Sequence, residues 1–144
     1  MAIITINRSL DPMPRDECLR LLADNQVGRL AVSVQGQPII FPVNYVLDGD
    51  VVIFRSDPGT KLNAAGLARV AFEIDHVNTE LKSGWSVVVQ GIGRYITDAV
   101  DESSERRRSL PLDTWAPGER ENWVEIVDPQ ISGRRLSTTT VSTK

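Results

Sequence analysis

The residues with the clearest chemical potential lie at the end of a strand near the middle of the chain. Within seven residues, the sequence places Arg55, Ser56, Thr60 and Lys61. A helix is predicted over residues 60–67, and its free N–H groups and positive dipole end favour an anion at its start. Two cations and two hydroxyls at that point therefore predict a phosphate site. The alternative is that Arg55 and Lys61 are solvated surface charges.

The preceding strand is the second stretch of interest because it contains a proline. Pro42 has no N–H to give to a ladder, so it marks an edge or a bulge. Val43, Asn44 and Tyr45 follow it directly. A strand that stops pairing midway exposes backbone groups that a ligand could bind. An irregular edge strand without a ligand fits the same residues, and both interpretations stay open.

Length and composition indicate one ordinary globular domain. The 144 residues suffice for a single core, and a net charge of −3 does not point to nucleic acid or an anionic membrane. The single cysteine, Cys18, lies on a helical apolar pattern, which favours a core thiol in a reducing environment. No signal peptide or membrane-spanning stretch is recognised. We therefore expect a soluble cytoplasmic protein.

Other familiar chemistries lack their residues. One cysteine and one histidine, His76, cannot complete a zinc site, and no carboxylate cluster suggests another metal, so no metal is expected. Neither a phosphate-binding P-loop nor a G-x-G-x-x-G dinucleotide motif is present. A serine triad would lack its G-x-S-x-G elbow. Glu73 and Asp75 share one strand face, which fits a solvated edge as readily as an acid pair.

Hydrophobic periodicity predicts short strands with few helices. Helices are expected at 14–24, 60–67 and 99–109, with Ser9 or Asp11 capping the first. Strands are expected at 3–6, 27–34, 39–46, 51–55, 69–75, 85–96, 122–127 and 131–136, the last two as a hairpin. Gly91 and Gly93 predict a bend or a close neighbour in the longest strand, and Arg106–Arg108 a solvated basic face. The pattern predicts a mainly β (α+β) antiparallel barrel over residues 1–136 and a disordered polar tail over 137–144.

The order of these elements, with their residues, resembles a known family. The segments VGRLAV, QPIIFPVNY, FRSDPGTKL, RVAFEID and GWSVVVQG are similar to those of the pyridoxamine 5'-phosphate oxidase-like FMN-binding split-barrel proteins, in particular small actinobacterial-type members. The resemblance covers residues 14–136. It implies a six-stranded antiparallel split β-barrel, a homodimer, and FMN in two equivalent clefts between the subunits.

The same resemblance implies roles for individual residues. Arg55, Ser56, Thr60 and Lys61 would bind the FMN phosphate, and Pro42, Val43, Asn44 and Tyr45 would lie along the isoalloxazine ring. Trp85 and Ser86 would contribute from the other subunit, although the Trp85 ring could instead serve the barrel core.

The expected function is a flavin-dependent oxidoreductase acting on a small molecule. The chain ends in Ser132–Leu136 and a polar tail without histidine, whereas the oxidase proper ends in an Arg- and His-containing segment. Pyridoxamine phosphate is therefore not the expected substrate. A non-catalytic flavin-binding or sensing module, and a reductase that uses a deazaflavin coenzyme, are the alternatives. A haem ligand at His76 is not favoured.

Overall fold

The computed structural model describes residues 2–57, 68–118 and 121–143. Its helices are α1 (Arg15–Asp24) and α2 (Glu102–Arg108). Its strands are β1 (Ile3–Pro12), β2 (Val27–Val34), β3 (Gln37–Asp48), β4 (Val51–Ser56), β5 (Arg69–Asn78), β6 (Ser83–Tyr95) and β7 (Asn122–Thr143). Within these ranges, no helix is long and apolar enough to cross a membrane.

The strands form one antiparallel sheet that closes on itself. Their order is β1-β7-β4-β3-β2-β5-β6, and β6 also pairs with β7. Mainly antiparallel architecture with short helices is as predicted, but the sheet has seven strands rather than six. The closing pair makes a ring of six strands, and β1 adds to the outer half of β7 as the seventh. The length of β1 could not be predicted from the short apolar run at residues 3–6. The segment of β7 that pairs with β1 is polar and therefore gives no hydrophobic signal.

The core fills the ring and is closed at one end by α1. Burial alternates along β2 and β5, and the core gathers Leu30, Phe54, Phe72 and Val89 from the strands with Leu22 from α1. Period-two burial of this kind is what the alternating sequence predicts. Pro14 begins α1 without a side-chain cap, so the predicted capping by Ser9 or Asp11 is wrong; both residues lie in β1.

The C-terminal region differs most from its prediction. Instead of a hairpin and a disordered tail, residues 122–143 form the single strand β7. Asp128, with φ of +49°, interrupts its regularity without reversing the chain. Residues 134–143 pair with β1 throughout its length, and residues 137–143 extend beyond the pairing with β6. Backbone pairing with an N-terminal strand orders this polar stretch, although it supplies few core side chains.

The predicted irregularity in β6 is confirmed at Gly91. The β6–β7 register shifts between Gln90 and Ile92, as at a β-bulge. A Cβ placed on Gly91 would lie 2.6 Å from the carbonyl oxygen of Val127. The bulge bends the strand, and glycine permits the close approach of β7.

The basic run on α2 was predicted to be a solvated face, which holds for the exposed Arg106 but not for Arg107 and Arg108. Arg107 is largely buried and bonds both Asp48, at 2.9 Å, and Glu125, which is fully buried. Arg94 also donates through Nε to Glu125, at 2.9 Å. Arg108 donates to backbone carbonyls at 96 and 99. Charged side chains therefore fasten α2 to the sheet.

Candidate functional site

A cavity of about 210 Å³ brings together half of the ten predicted site residues. One wall is the middle of β3 and the other is the end of β4, with a third side from the segment that follows α2. The lining residues are Phe41, Pro42, Val43, Asn44, Arg55, Ser56, Asp57, Thr114 and Ala116. Five of the predicted positions therefore share one cavity.

The β3 wall offers backbone groups because its pairing changes partner at this point. Residues 37–44 pair with β2, whereas residues 45–48 pair with β4. On the side away from β2, residues 41–44 consequently have no strand partner among the residues that the structure describes. Pro42 lies in this stretch, where its missing N–H costs no ladder bond. Of the two interpretations left open by the sequence, this geometry favours an exposed backbone edge beside a cavity.

Arg55 stands at the cavity with its guanidinium against an aromatic ring. It faces Trp123 directly across the β4–β7 pair, and its Cζ lies 5.0 Å from the centroid of the Trp123 ring. This distance is within the range of a cation–π interaction. Its Nη1 also donates to the carbonyl oxygen of Leu112 at 3.5 Å. Arg55 is half-buried rather than fully solvated, which argues against a plain surface charge.

Ser56 provides the most unusual polar atom of the cavity. The residue is only 5% exposed, and its Oγ has no hydrogen-bond partner in the part of the chain that the structure describes. Buried hydroxyls are nearly always paired, because an unpaired one loses its hydration without compensation. An acceptor supplied by a ligand in the cavity would satisfy this group.

The segment from Ser109 to Gly118 closes the third side, and sequence reasoning missed it. The backbone N–H of Trp115 donates to Oδ1 of Asn44 at 2.9 Å. Its neighbours Thr114 and Ala116 line the cavity. No local signal could have predicted this contact, since the two residues are 71 positions apart. Asn44 thus anchors the segment as well as lining the cavity.

Tyr45 is a predicted site residue whose side chain does not line this cavity. The side chain of Tyr45 is buried in the core, where its hydroxyl donates to the carbonyl oxygen of Leu22 at 2.6 Å. Burial raises the pKa of this phenol. Only backbone atoms of Tyr45 could therefore face a ligand in this cavity. Thr60 and Lys61, and the predicted helix 60–67, lie outside the described residues.

Trp85 and Ser86 line a different cavity, of about 460 Å³, on the outer surface of the sheet. Within one chain they are not brought together with Arg55. Trp85 also packs against the core, so both interpretations of its ring have support.

Glu73 and Asp75 also line this outer cavity. Burial and the neighbouring Asp75 carboxylate raise the pKa of Glu73 to about 7, against the opposing effect of Arg29.

A still larger cavity, of about 690 Å³, lies between β2, β5 and the β6–β7 bulge. None of the predicted site residues lines it. Size alone therefore does not identify the functional site, and the smaller cavity at Arg55 carries the chemical argument.

The cavity at Arg55 has the chemistry to bind a phosphorylated, partly planar ligand. Arg55 and Ser56 line it at the end of β4, and the backbone edge of β3 that has no strand partner among the described residues runs along the side. Arg55 can offer a planar fork of donors to two phosphate oxygens. Asp57 adds one carboxylate, which repels a phosphate but accepts hydrogen bonds from hydroxyl groups.

Comparison with known proteins assigns the family. The family model described as pyridoxamine 5'-phosphate oxidase matches residues 14–135. An uncharacterized protein of Mycobacterium tuberculosis is 30% identical over 135 residues, which cover 90% of this chain and 87% of that protein. The structure of the FAD binding protein from Mycobacterium smegmatis is 33% identical with a TM-score of 0.72, covering 87% of this chain and 98% of that one. An FAD-binding protein from Mesorhizobium loti is 26% identical with a TM-score of 0.70, covering 88% and 97%. The chain belongs to the pyridoxamine 5'-phosphate oxidase family.

Proposed function

We propose that this protein binds a flavin nucleotide at the Arg55 cavity and is an oxidoreductase acting on a small molecule. One observation carries the proposal. Ser56, whose buried hydroxyl lacks a partner in the described structure, follows Arg55 in β4, and both residues line a cavity whose other wall is a strand edge without a described partner. Two similar structures are of FAD-binding proteins, which supports a flavin as the ligand.

The proposed placement follows from the chemistry of the cavity walls. The flavin phosphate lies at Arg55 and Ser56, and the isoalloxazine ring lies along Pro42, Val43 and Asn44. Asp57 accepts hydrogen bonds from hydroxyls of the ribityl chain. Thr60 and Lys61 extend the phosphate site as the sequence predicts. FMN satisfies this arrangement with its terminal phosphate, and FAD satisfies it with its pyrophosphate.

A second subunit completes the site in this proposal. A cavity of about 210 Å³ is smaller than the roughly 300–1,000 Å³ usual for small-molecule sites, so one chain covers only part of a flavin. The outer cavity with Trp85 and Ser86 supplies the missing wall from a partner in a homodimer. Leu10, Leu136 and Val77 form an exposed apolar row across the strands that border this outer cavity.

A bound flavin supplies the hydride or electron transfer itself, while the protein binds, orients and excludes water. The described wall of the Arg55 cavity contains a single carboxylate, Asp57, and flavin chemistry needs no further protein acid or base. A cavity wall with a single carboxylate also fits a non-catalytic flavin-binding module, which is the second candidate. A deazaflavin coenzyme carries phosphate too and would use the same donors. The buried free thiol of Cys18 is in keeping with a reducing, cytoplasmic location.

Reconstitution tests the proposal most simply. Purified protein is titrated with FMN, FAD, riboflavin and a deazaflavin coenzyme, and binding is followed by absorbance and flavin fluorescence. We expect tight binding of a phosphorylated flavin. Absence of binding by all four ligands would contradict the proposal. Turnover of the bound flavin with a chemical reductant and an electron acceptor would separate the oxidoreductase from the non-catalytic module.

A further inference from the structure

Arg55 is held by a residue that does not line the cavity. Trp123 lies directly opposite Arg55 in the β4–β7 register, and the guanidinium carbon lies over its ring at 5.0 Å. Trp123 is absent from the residues that line the cavity. Trp123 therefore affects the site through its contact with Arg55.

The backbone of Trp123 is fixed by the segment that follows β6. Its backbone N–H donates to Oγ1 of Thr97 at 2.9 Å, and its carbonyl oxygen accepts from the N–H of Ile96 at 2.8 Å. Both groups thus bond away from β4, which makes Arg55 and Trp123 a non-hydrogen-bonded cross-strand pair. Side chains approach most closely in such pairs. The ring is consequently carried on a backbone that is hydrogen-bonded in place, directly opposite Arg55.

Stacking of this kind does not cover the in-plane donors of Arg55, of which Nη1 donates to the carbonyl oxygen of Leu112. The five N–H groups of a guanidinium lie in its plane, whereas a ring beneath it occupies one face. An arginine in water samples many rotamers, and binding an anion normally requires that this freedom be lost. The Trp123 ring restricts that freedom before a ligand arrives.

We infer that Trp123 is the positioning residue of the phosphate site: its ring holds the Arg55 guanidinium so that the donor fork faces the ligand phosphate. This inference rests on the proposed function, since it takes a flavin phosphate as the ligand of Arg55. Trp123 itself makes no contact with the phosphate. Its contribution exists only while Arg55 is present.

A double-mutant cycle tests the inference. FMN and riboflavin are titrated into the wild type, Trp123→Leu, Arg55→Ala and the double variant, with thermal unfolding as the control for folding. Cation–π pairs contribute modestly at exposed sites and more when desolvated, so we expect Trp123→Leu to weaken FMN binding by about threefold to thirtyfold. Riboflavin binding should not change. In the Arg55→Ala background, Trp123→Leu should have no further effect on FMN.

Trp123→Phe provides the variant that keeps an aromatic face if the leucine does not fold. Phenylalanine should retain part of the FMN affinity and leave riboflavin binding unchanged. Equal weakening of FMN binding by Trp123→Leu with and without Arg55 would overturn the inference, as would loss of riboflavin affinity. If Arg55→Ala alone leaves FMN affinity intact, the proposed phosphate site fails and the inference fails with it. If Arg55→Ala weakens FMN binding and Trp123→Leu does not, only the inference fails.

Discussion

At the scale of single residues, two buried serines have opposite hydrogen-bonding states. Ser104 is fully buried in α2, and its Oγ donates to Oδ1 of Asp101 at 2.7 Å. Ser56 is nearly as buried, yet its Oγ has no partner anywhere in the described residues. A satisfied hydroxyl stabilises the fold, whereas an unsatisfied one lowers stability unless a ligand pairs with it. The contrast distinguishes a structural serine from a binding serine.

This contrast predicts that substitution of the two serines by alanine has different effects on the free energy of unfolding and on FMN affinity. Ser56→Ala removes an uncompensated hydroxyl, so the free energy of unfolding without ligand should stay the same or rise. FMN affinity should fall by about fivefold, corresponding to roughly 1 kcal/mol for one lost hydrogen bond. Ser104→Ala should instead destabilise the protein by about 0.5–1.5 kcal/mol without changing FMN affinity. Urea unfolding and flavin titration measure both quantities, and a Ser56→Ala protein that is less stable with unchanged affinity would refute the assignment.

How far the site could be predicted from the sequence depends on the range of each contact. Arg55, Ser56 and Pro42–Asn44 come together because adjacent antiparallel strands carry them, and strand order is readable from local patterns. The bond between Asn44 and Trp115 joins distant parts of the chain, so no local pattern contains it. Strand alternation places the Tyr45 side chain in the core, whereas it is the backbone of residues 41–44 that is exposed at the strand edge.

At the scale of elements, charged side chains attach α2 to the barrel. Arg107 bonds Glu125, which is fully buried in β7, and Asp48 at the end of β3. Hydrogen bonds from Arg107 and Arg106 hold the pKa of Asp48 below its usual range. The ionised form of Asp48 thus adds stability at neutral pH, which is lost as the pH falls through that lowered pKa. The segment that closes the cavity begins directly after this helix, so the network also supports the site.

Substitution of Arg107 should therefore be much more costly than substitution of its neighbour. Arg107→Ala leaves the buried Glu125 carboxylate with Arg94 as its remaining partner among the described residues, and breaking a buried pair costs about 3–5 kcal/mol. The side chain of Arg106 is largely exposed and bonds only Asp48 among its described contacts, so Arg106→Ala should cost about 0–1 kcal/mol. Equilibrium unfolding in urea compares the two variants. Similar losses of unfolding free energy would argue against a buried network.

Elements were predictable where side-chain pattern and backbone pairing agree. β2 has its predicted bounds because its residues alternate between core and surface. Polar residues 137–143 form a strand through backbone pairing with β1, and hydrophobic pattern does not report such pairing. The basic run of α2 resembles a solvated face in sequence, because its acidic partners come from β3 and β7.

At the scale of the whole molecule, the outer surface of the sheet carries a row of apolar side chains that a single chain leaves exposed to water. Leu10 is 59% and Val77 65% exposed, and Leu136 lies between them across the strands. The β1 ribbon projects its residues to solvent along its entire length, and a two-stranded ribbon is marginally stable in water. We expect a partner chain to cover this surface in the proposed homodimer.

Charged substitutions at this surface should separate the subunits. Leu10→Asp and Val77→Asp bury a carboxylate in the proposed interface, so both should shift the protein towards a monomer and weaken flavin binding. Val100, which is 85% exposed and lies outside this row, provides the control variant Val100→Asp. Sedimentation velocity with and without flavin reports the oligomeric state. A wild-type protein that stays monomeric with flavin bound would rule out the dimer.

The central claim is that Arg55 binds the phosphate of a flavin nucleotide, and comparison of two ligands tests it most directly. FMN and riboflavin share the ring and ribityl chain but differ in the phosphate. A charge-assisted hydrogen bond contributes roughly 1.5–3 kcal/mol, which is about one to two decades in affinity. Titration of Arg55→Ala should therefore show FMN affinity reduced by that factor and riboflavin affinity unchanged from the wild type. An equal loss for both ligands, or no loss for either, would contradict the account.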